Sequence, residues 1–252
     1  MKGLLTGRVA VVTGSGRGIG EAIVRKLSAH GAKVVVTDLD EQAAKKVAKD
    51  LCEQDAEAKA LYFNVADYAN MKEKIAEICA QFGRIDVWVN NAGITEAASL
   101  ESITPERWDL LQSIDLKSVF FCTQAVYEQM KQQRYGRLVH ISSMAGQRGG
   151  RSSSVAYSSA KAGVLNLSKC FALHGGAYNV TSNVVCPGRI LTQMAQGLSW
   201  LTDPKDAPEL TIPLCRFGTP DDIANAVLFY ASDLSSYVTG DTMSVNGGLY
   251  MP

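Results

Sequence analysis

Short runs dense in valine, isoleucine and leucine alternate along this chain with longer stretches whose apolar residues recur at helical spacing. The short runs lie at 8–12, 33–37, 58–63, 86–89, 137–141, 180–185 and 242–245. Several are apolar without alternation, as expected of strands buried on both faces of a parallel sheet. The longer stretches, at 18–30, 41–54, 68–82, 105–132, 153–177 and 220–232, predict amphipathic helices. Two of them open on clear start signals. Thr104-Pro105-Glu106 and Thr219-Pro220-Asp221 each supply a capping hydroxyl, a proline at the first helical position and an acid in the first turn. Strand and helix in regular alternation predict an α/β fold, a doubly wound (Rossmann) sheet of about seven parallel strands with helices on both faces.

No linker or shift of composition divides the 252 residues, so one domain spanning 1–252 is expected. The segment 189–214 breaks the pattern. It carries Pro204 and Pro208 among apolar residues such as Met194, Leu198, Trp200 and Leu201. A surface loop with a short helix, lying over a cleft as a substrate lid, fits this composition, and a packed connection is the alternative.

Composition narrows the classes of function. Hydrophobic residues make up 46% and charged residues 20%, ordinary for a soluble globular chain. Lys plus Arg and Asp plus Glu balance at 25 each, which argues against nucleic acid or an anionic membrane as a partner. No stretch approaches the ~18 apolar residues of a membrane span. The N-terminal Met-Lys-Gly-Leu-Leu is too short in its apolar part for a secretion signal, and a cytoplasmic protein is the expectation. The six cysteines are scattered without Cys-x-x-Cys spacing, which predicts buried, reduced thiols. His30, His140 and His174 are too far apart to suggest a metal site, and His140, in a strand, reads as a core histidine with its hydrogen bonds satisfied.

The first strand runs directly into Gly14-Ser15-Gly16-Arg17-Gly18-Ile19-Gly20 and then a helix. Glycines let such a turn adopt positive φ and let a pyrophosphate approach the backbone, while the helix start offers free N–H groups. A glycine string alone is weak evidence; between a strand and a helix it is a dinucleotide-site hypothesis. Asp38 ends the next strand, where a carboxylate can accept from both adenosine ribose hydroxyls and repel a 2′-phosphate. That favours NAD over NADP. Arg17 pulls the other way, since it could pair with a 2′-phosphate, and Asp38 has an alternative role as a cap for the following helix.

Tyr157 and Lys161 stand at i and i+4 on a predicted helix, so a phenol and an ammonium share one face. A nearby cation lowers the phenol's pKa and suits it to proton exchange with an alcohol or carbonyl oxygen. The same spacing also arises on any solvated helix face.

Taken together, Thr13-Gly14-x-x-x-Gly18-Ile19-Gly20, Asn90-Asn91-Ala92-Gly93, Ser143, Tyr157-x-x-x-Lys161 and Pro187-Gly188 resemble, in order and spacing, the motifs of the short-chain dehydrogenase/reductase family. Within it the chain is most similar to 3-oxoacyl-carrier-protein reductases and to sugar and polyol dehydrogenases. The resemblance implies Tyr157 as acid/base, Lys161 lowering its pKa and holding the nicotinamide ribose, and Ser143 anchoring the substrate oxygen. It implies Asn64 and Val65 near the adenine, Asn91, Ala92 and Gly93 on the adenosine side, and Pro187, Gly188, Ile190 and Thr192 along the nicotinamide. Phe120 and Phe121 fall on a helix that packs subunits in the family, which implies a homotetramer or homodimer; a core role is the alternative. Asp115 stands where the family carries an asparagine holding a relay water, and Leu173 where carrier-protein reductases place a docking arginine. Arg134 and Arg137 remain as anion contacts or as solvated surface residues. The expected function is hydride transfer between NAD(H) and a small secondary alcohol or ketone. The alternatives are an NADPH-dependent 3-oxoacyl-carrier-protein reductase and, from Asp115 alone, a nucleotide-binding scaffold without catalysis.

Overall fold

The computed structural model describes residues 3–150, 153–192 and 212–252. Strands β1 Val9–Thr13, β2 Lys33–Asp38, β3 Ala58–Tyr62, β4 Val87–Asn90, β5 Gly136–Ile141, β6 Val180–Pro187 and β7 Thr242–Val245 form one 7-stranded sheet in the order β3-β2-β1-β4-β5-β6-β7. Every pairing is parallel. Helices α1 Gly18–Ala29, α2 Glu41–Cys52 and α3 Met71–Phe82 follow the first three strands. Between β4 and β5 lie α4 Pro105–Gln112 and α5 Ser118–Gln133, between β5 and β6 α6 Met144–Arg148 and α7 Val155–Gly175, and before β7 α8 Pro220–Ala231.

Successive strand residues point to opposite faces, so each valine run feeds two cores. Val12, Val36, Val89 and Ile141 pack with Ile23, Val24 and Leu27 of α1 and with Ile223 and Val227 of α8. Val11, Val35, Trp88 and Leu138 pack with Ile75 and Ile78 of α3 and with Val126 and Met130 of α5. Helices therefore cover both faces, which is why the strands are apolar without alternation. Strand order reverses between β1 and β4, and in such sheets the crevice outside the carboxyl ends at that point is the binding place.

The expected helix 105–132 is interrupted. A π-helical turn, Ser113–Lys117, separates α4 from α5 and carries Asp115. Such wide turns mark sites where a side chain is re-aimed. Helix α3 starts at Met71 rather than at 68, because Asn64 and Asp67 close a turn first, with Asp67 N donating to Asn64 O at 3.0 Å. Both expected caps form: Thr104 Oγ1 accepts from Arg107 N, and Thr219 makes a reciprocal capping box with Asp222.

Two expectations need correction, and a third falls largely outside the described residues. Cys122 and Cys186 are buried, but Cys52, Cys170 and Cys215 are exposed, since lying in a helix or loop does not decide which face meets solvent. Arg137 is not a surface residue: it is 2% exposed, bonds Asp233 at 3.0 Å and stacks on the Tyr135 ring. Of the expected lid at 189–214, residues 193–211, including Met194, Leu198, Trp200, Leu201, Pro204 and Pro208, lie outside the described residues. His140 matches its expectation, with Asn90 Nδ2 and Ser182 Oγ each 3.0 Å from a ring nitrogen. Among the described residues no helix is long and apolar enough to cross a membrane.

Candidate active site

At the switch point Thr13 ties β1 to β4. Its Oγ1 accepts from the N–H groups of Asn91 and Ala92, both at 3.0 Å, and donates to Val89 O at 3.3 Å. Asn91 Nδ2 in turn donates to the carbonyls of Thr13 and Gly14, each at 2.9 Å. The chain leaves β1 through Gly14 at φ +62°, a conformation that L side chains rarely adopt. It then enters α1, whose first N–H groups have no carbonyl one turn earlier and face the crevice. These features fit a dinucleotide pyrophosphate.

Asp38 is 8% exposed at the end of β2. Its Oδ2 accepts from Gly16 N at 2.9 Å and its Oδ1 from Asp40 N at 3.0 Å, so the carboxylate is held in one place. The helix cap is Asp40, which accepts from Ala43 N, so Asp38 is not the cap. Arg17 is exposed beside the same cleft. Ser15 does not line it. Its N–H donates to Thr37 O, its hydroxyl donates to Val12 O at 2.7 Å, and Thr37 N donates to it at 3.0 Å. Ser15 is a buried strut between β1 and β2, because the turn points its side chain inward.

One cleft of about 1410 Å³ is lined by Gly14, Arg17, Gly18, Ile19, Gly20, Asp38, Asn64, Val65, Asn91, Ala92, Gly93, Asp115, Ser143, Tyr157, Lys161, Pro187, Gly188, Ile190 and Thr192. Pockets for a drug-sized ligand are roughly 300–1,000 Å³, so this volume suits a dinucleotide with a small substrate. Several further lining residues carry no earlier assignment, Thr95, Met144 and Leu249 among them. Ser142 was also missed; it donates to the Lys161 carbonyl at 2.7 Å and pins α7 to β5. Its only signal was its place beside Ser143.

Ser154 caps α7 by accepting from Tyr157 N at 3.2 Å, which starts the helix so that Tyr157 and Lys161 face the cleft. Lys161 Nζ lies 5.7 Å from the Tyr157 ring centroid, donates to Ile141 O at 3.2 Å and pairs with Asp115 Oδ1 at 3.1 Å. Ser143 caps α6 by accepting from Ala145 N at 3.1 Å, which leaves its own proton to donate. Burial lowers the Lys161 pKa, but the Asp115 carboxylate overrides it and holds the ammonium above its ordinary value. Burial raises Asp115 against the opposing pull of Lys161 and the Ile94 N–H. Tyr157 also lies above the ordinary phenol value. Burial is the largest cause, Lys161 and Ser143 pull down, and Asp115 and Cys186 push up. Lys161 thus acts in the expected direction without prevailing, because burial outweighs it and the Asp115 carboxylate beside it adds to the opposing push.

A family model described as enoyl-(acyl carrier protein) reductase matches residues 14–250. The chain belongs to the short-chain dehydrogenase/reductase family. Among curated relatives, this chain is 40% identical over 245 residues to the 3-oxoacyl-[acyl-carrier-protein] reductase FabG of Escherichia coli K12, covering 97% of this chain and 98% of the relative. It is 39% identical over 244 residues to the acetoacetyl-CoA reductase of Shinella zoogloeoides, covering 96% and 98%. A candidate gluconate dehydrogenase from Agrobacterium tumefaciens superposes with a TM-score of 0.94 at 27% identity, covering 100% of both chains. As a member of this family the chain is an oxidoreductase that uses a nicotinamide cofactor.

Proposed function

We propose that this oxidoreductase interconverts a small secondary alcohol and its ketone with NAD(H). The reading rests on the meeting of Ser143, Tyr157 and Lys161 in the cleft that also holds the glycine turn and Asp38. In reduction, Tyr157 gives its phenolic proton to the carbonyl oxygen and Ser143 donates a hydrogen bond to the same atom. Lys161 stabilises the phenolate left behind. A bound nicotinamide supplies the hydride. Gly14, Gly18, Ile19 and Gly20 receive the pyrophosphate, while Asn64, Val65, Asn91, Ala92 and Gly93 border the adenosine. Pro187, Gly188, Ile190 and Thr192 line the nicotinamide side. The fixed carboxylate of Asp38 would accept from ribose hydroxyls and lie against a 2′-phosphate, which supports NAD.

A second reading, NADPH-dependent reduction of a 3-oxoacyl thioester, is favoured by the names of the relatives. Against its carrier-protein form stands Leu173, 84% exposed where a docking arginine would be expected. The deciding experiment follows reduced-nicotinamide absorbance with NADH and NADPH over a ketone panel that includes acetoacetyl-CoA. Faster turnover of free ketones with NADH supports the first reading; faster acetoacetyl-CoA turnover with NADPH replaces it with the second. We further propose a homotetramer or homodimer. Phe120, 38% exposed, forms an aromatic strip with Phe121 on α5 and Phe171 on α7. Light scattering giving a monomer mass would refute this.

A further inference from the structure

Asp115 is 0% exposed, carried by the π-helical turn into the wall of the cleft. Its Oδ1 touches Lys161 Nζ at 3.1 Å and accepts from Ile94 N at 3.2 Å. A Cβ on Gly93 would stand 2.5 Å from that oxygen, so the loop after β4 approaches closely only because it is glycine there. The other oxygen, Oδ2, is buried without a hydrogen-bond partner among the described residues. This carboxylate has been brought to the lysine and given little else to bind.

The groups around Tyr157 are few. From the π-helical turn comes Asp115, from α7 Lys161, from the start of α6 the Ser143 hydroxyl, and from β6 the Cys186 thiol, whose pKa burial pushes up to about 11. Arg148 and Arg189 line the same cleft. A lysine alone would present the phenol with a full positive charge. A lysine 3.1 Å from a buried carboxylate presents a dipole, whose field falls off much faster.

Building on the dehydrogenase reading above, we propose that Asp115 is a positioning residue that sets the pH at which Tyr157 yields its proton. By cancelling the field of Lys161 it poises the site for ketone reduction at neutral pH and confines alcohol oxidation to alkaline solution. The same phenol serves both directions, as acid in reduction and base in oxidation, so both pH profiles report one ionisation.

Asp115→Asn keeps the shape and removes the charge. The acid limb of oxidation and the alkaline limb of reduction should both move to lower pH by about one unit, raising oxidation at pH 7 about tenfold. A merely structural role would lower kcat at every pH and leave the limbs in place. Unmoved limbs, or movement of one limb alone, would overturn the proposal. A second measurement needs neither turnover nor the variant. Ultraviolet titration of the protein against Tyr157→Phe isolates the Tyr157 phenolate, which should appear only at or above pH ~10. Ionisation below pH ~8 would refute the role of Asp115, whatever the substrate. Absence of turnover on every ketone, with the phenolate appearing as expected, would instead refute the dehydrogenase reading.

Discussion

Tyr157 is useful only as far as its neighbours allow, and each neighbour comes from a different element. Replacing it with phenylalanine removes the proposed proton carrier and leaves the cleft. The expected outcome is a ~10²–10⁴-fold fall in kcat with NADH binding, followed by fluorescence, unchanged. The proposed preference for NAD rests on Asp38. Asp38→Ala should raise the ratio of kcat/KM for NADP over NAD about tenfold or more, because it removes the fixed carboxylate proposed to lie against a 2′-phosphate. Much of this site was legible in the sequence, since glycines between a strand and a helix, and Tyr157 one turn from Lys161, are local patterns. The inward direction of Ser15 and the pairing of Asp115 with Lys161 were not legible. Both depend on which segment arrives opposite, and spacing along the chain says nothing of that.

Among the elements, the strands were the easiest to read. Their side chains are buried on both faces, so hydrophobicity alone marks them. Helix α8 was equally plain, from its proline and capping threonine. Thr219 accepts from Asp222 N while the Asp222 carboxylate accepts from Thr219 N at 2.7 Å, and hydrogen bonds from Arg216 hold that carboxylate well below the usual range. Thr219→Ala should cost about 1 kcal/mol and lower Tm by roughly 2–4 °C, measured by thermal unfolding. The break in the helix expected at 105–132 had no sequence signal, because Ser-Ile-Asp-Leu-Lys continues the apolar rhythm. At that turn polar partners claim one side chain and one carbonyl: Lys161 binds Asp115, and Tyr68 Oη donates to the backbone O of Ser113 at 2.7 Å.

Across the whole molecule a buried polar line runs along one face of the sheet: Trp88 Nε1 to Asn90 Oδ1 at 2.9 Å, Asn90 to His140, His140 to Ser182, and Ser182 to Ser168 at 2.9 Å. Burial lowers the His140 pKa from 6.5 to about 3. Between those values the unfolded chain binds the extra proton, so His140 contributes stability in full above pH ~6.5 and loses it as pH falls toward ~3, at up to roughly 1.4 kcal/mol per unit. Urea unfolding should show this acid slope, and His140→Gln should flatten it. The sequence by itself determined the alternation of strand and helix, the glycine turn and the Tyr157/Lys161 pair, because each is written in residues close together along the chain. Only the tertiary structure decided that Asp115 would meet Lys161, that Arg137 would be buried on Tyr135, and that three cysteines would face solvent. Those outcomes follow from distant segments closing around the β1–β4 crevice and the sheet's two faces, where burial makes each charge depend on the one beside it.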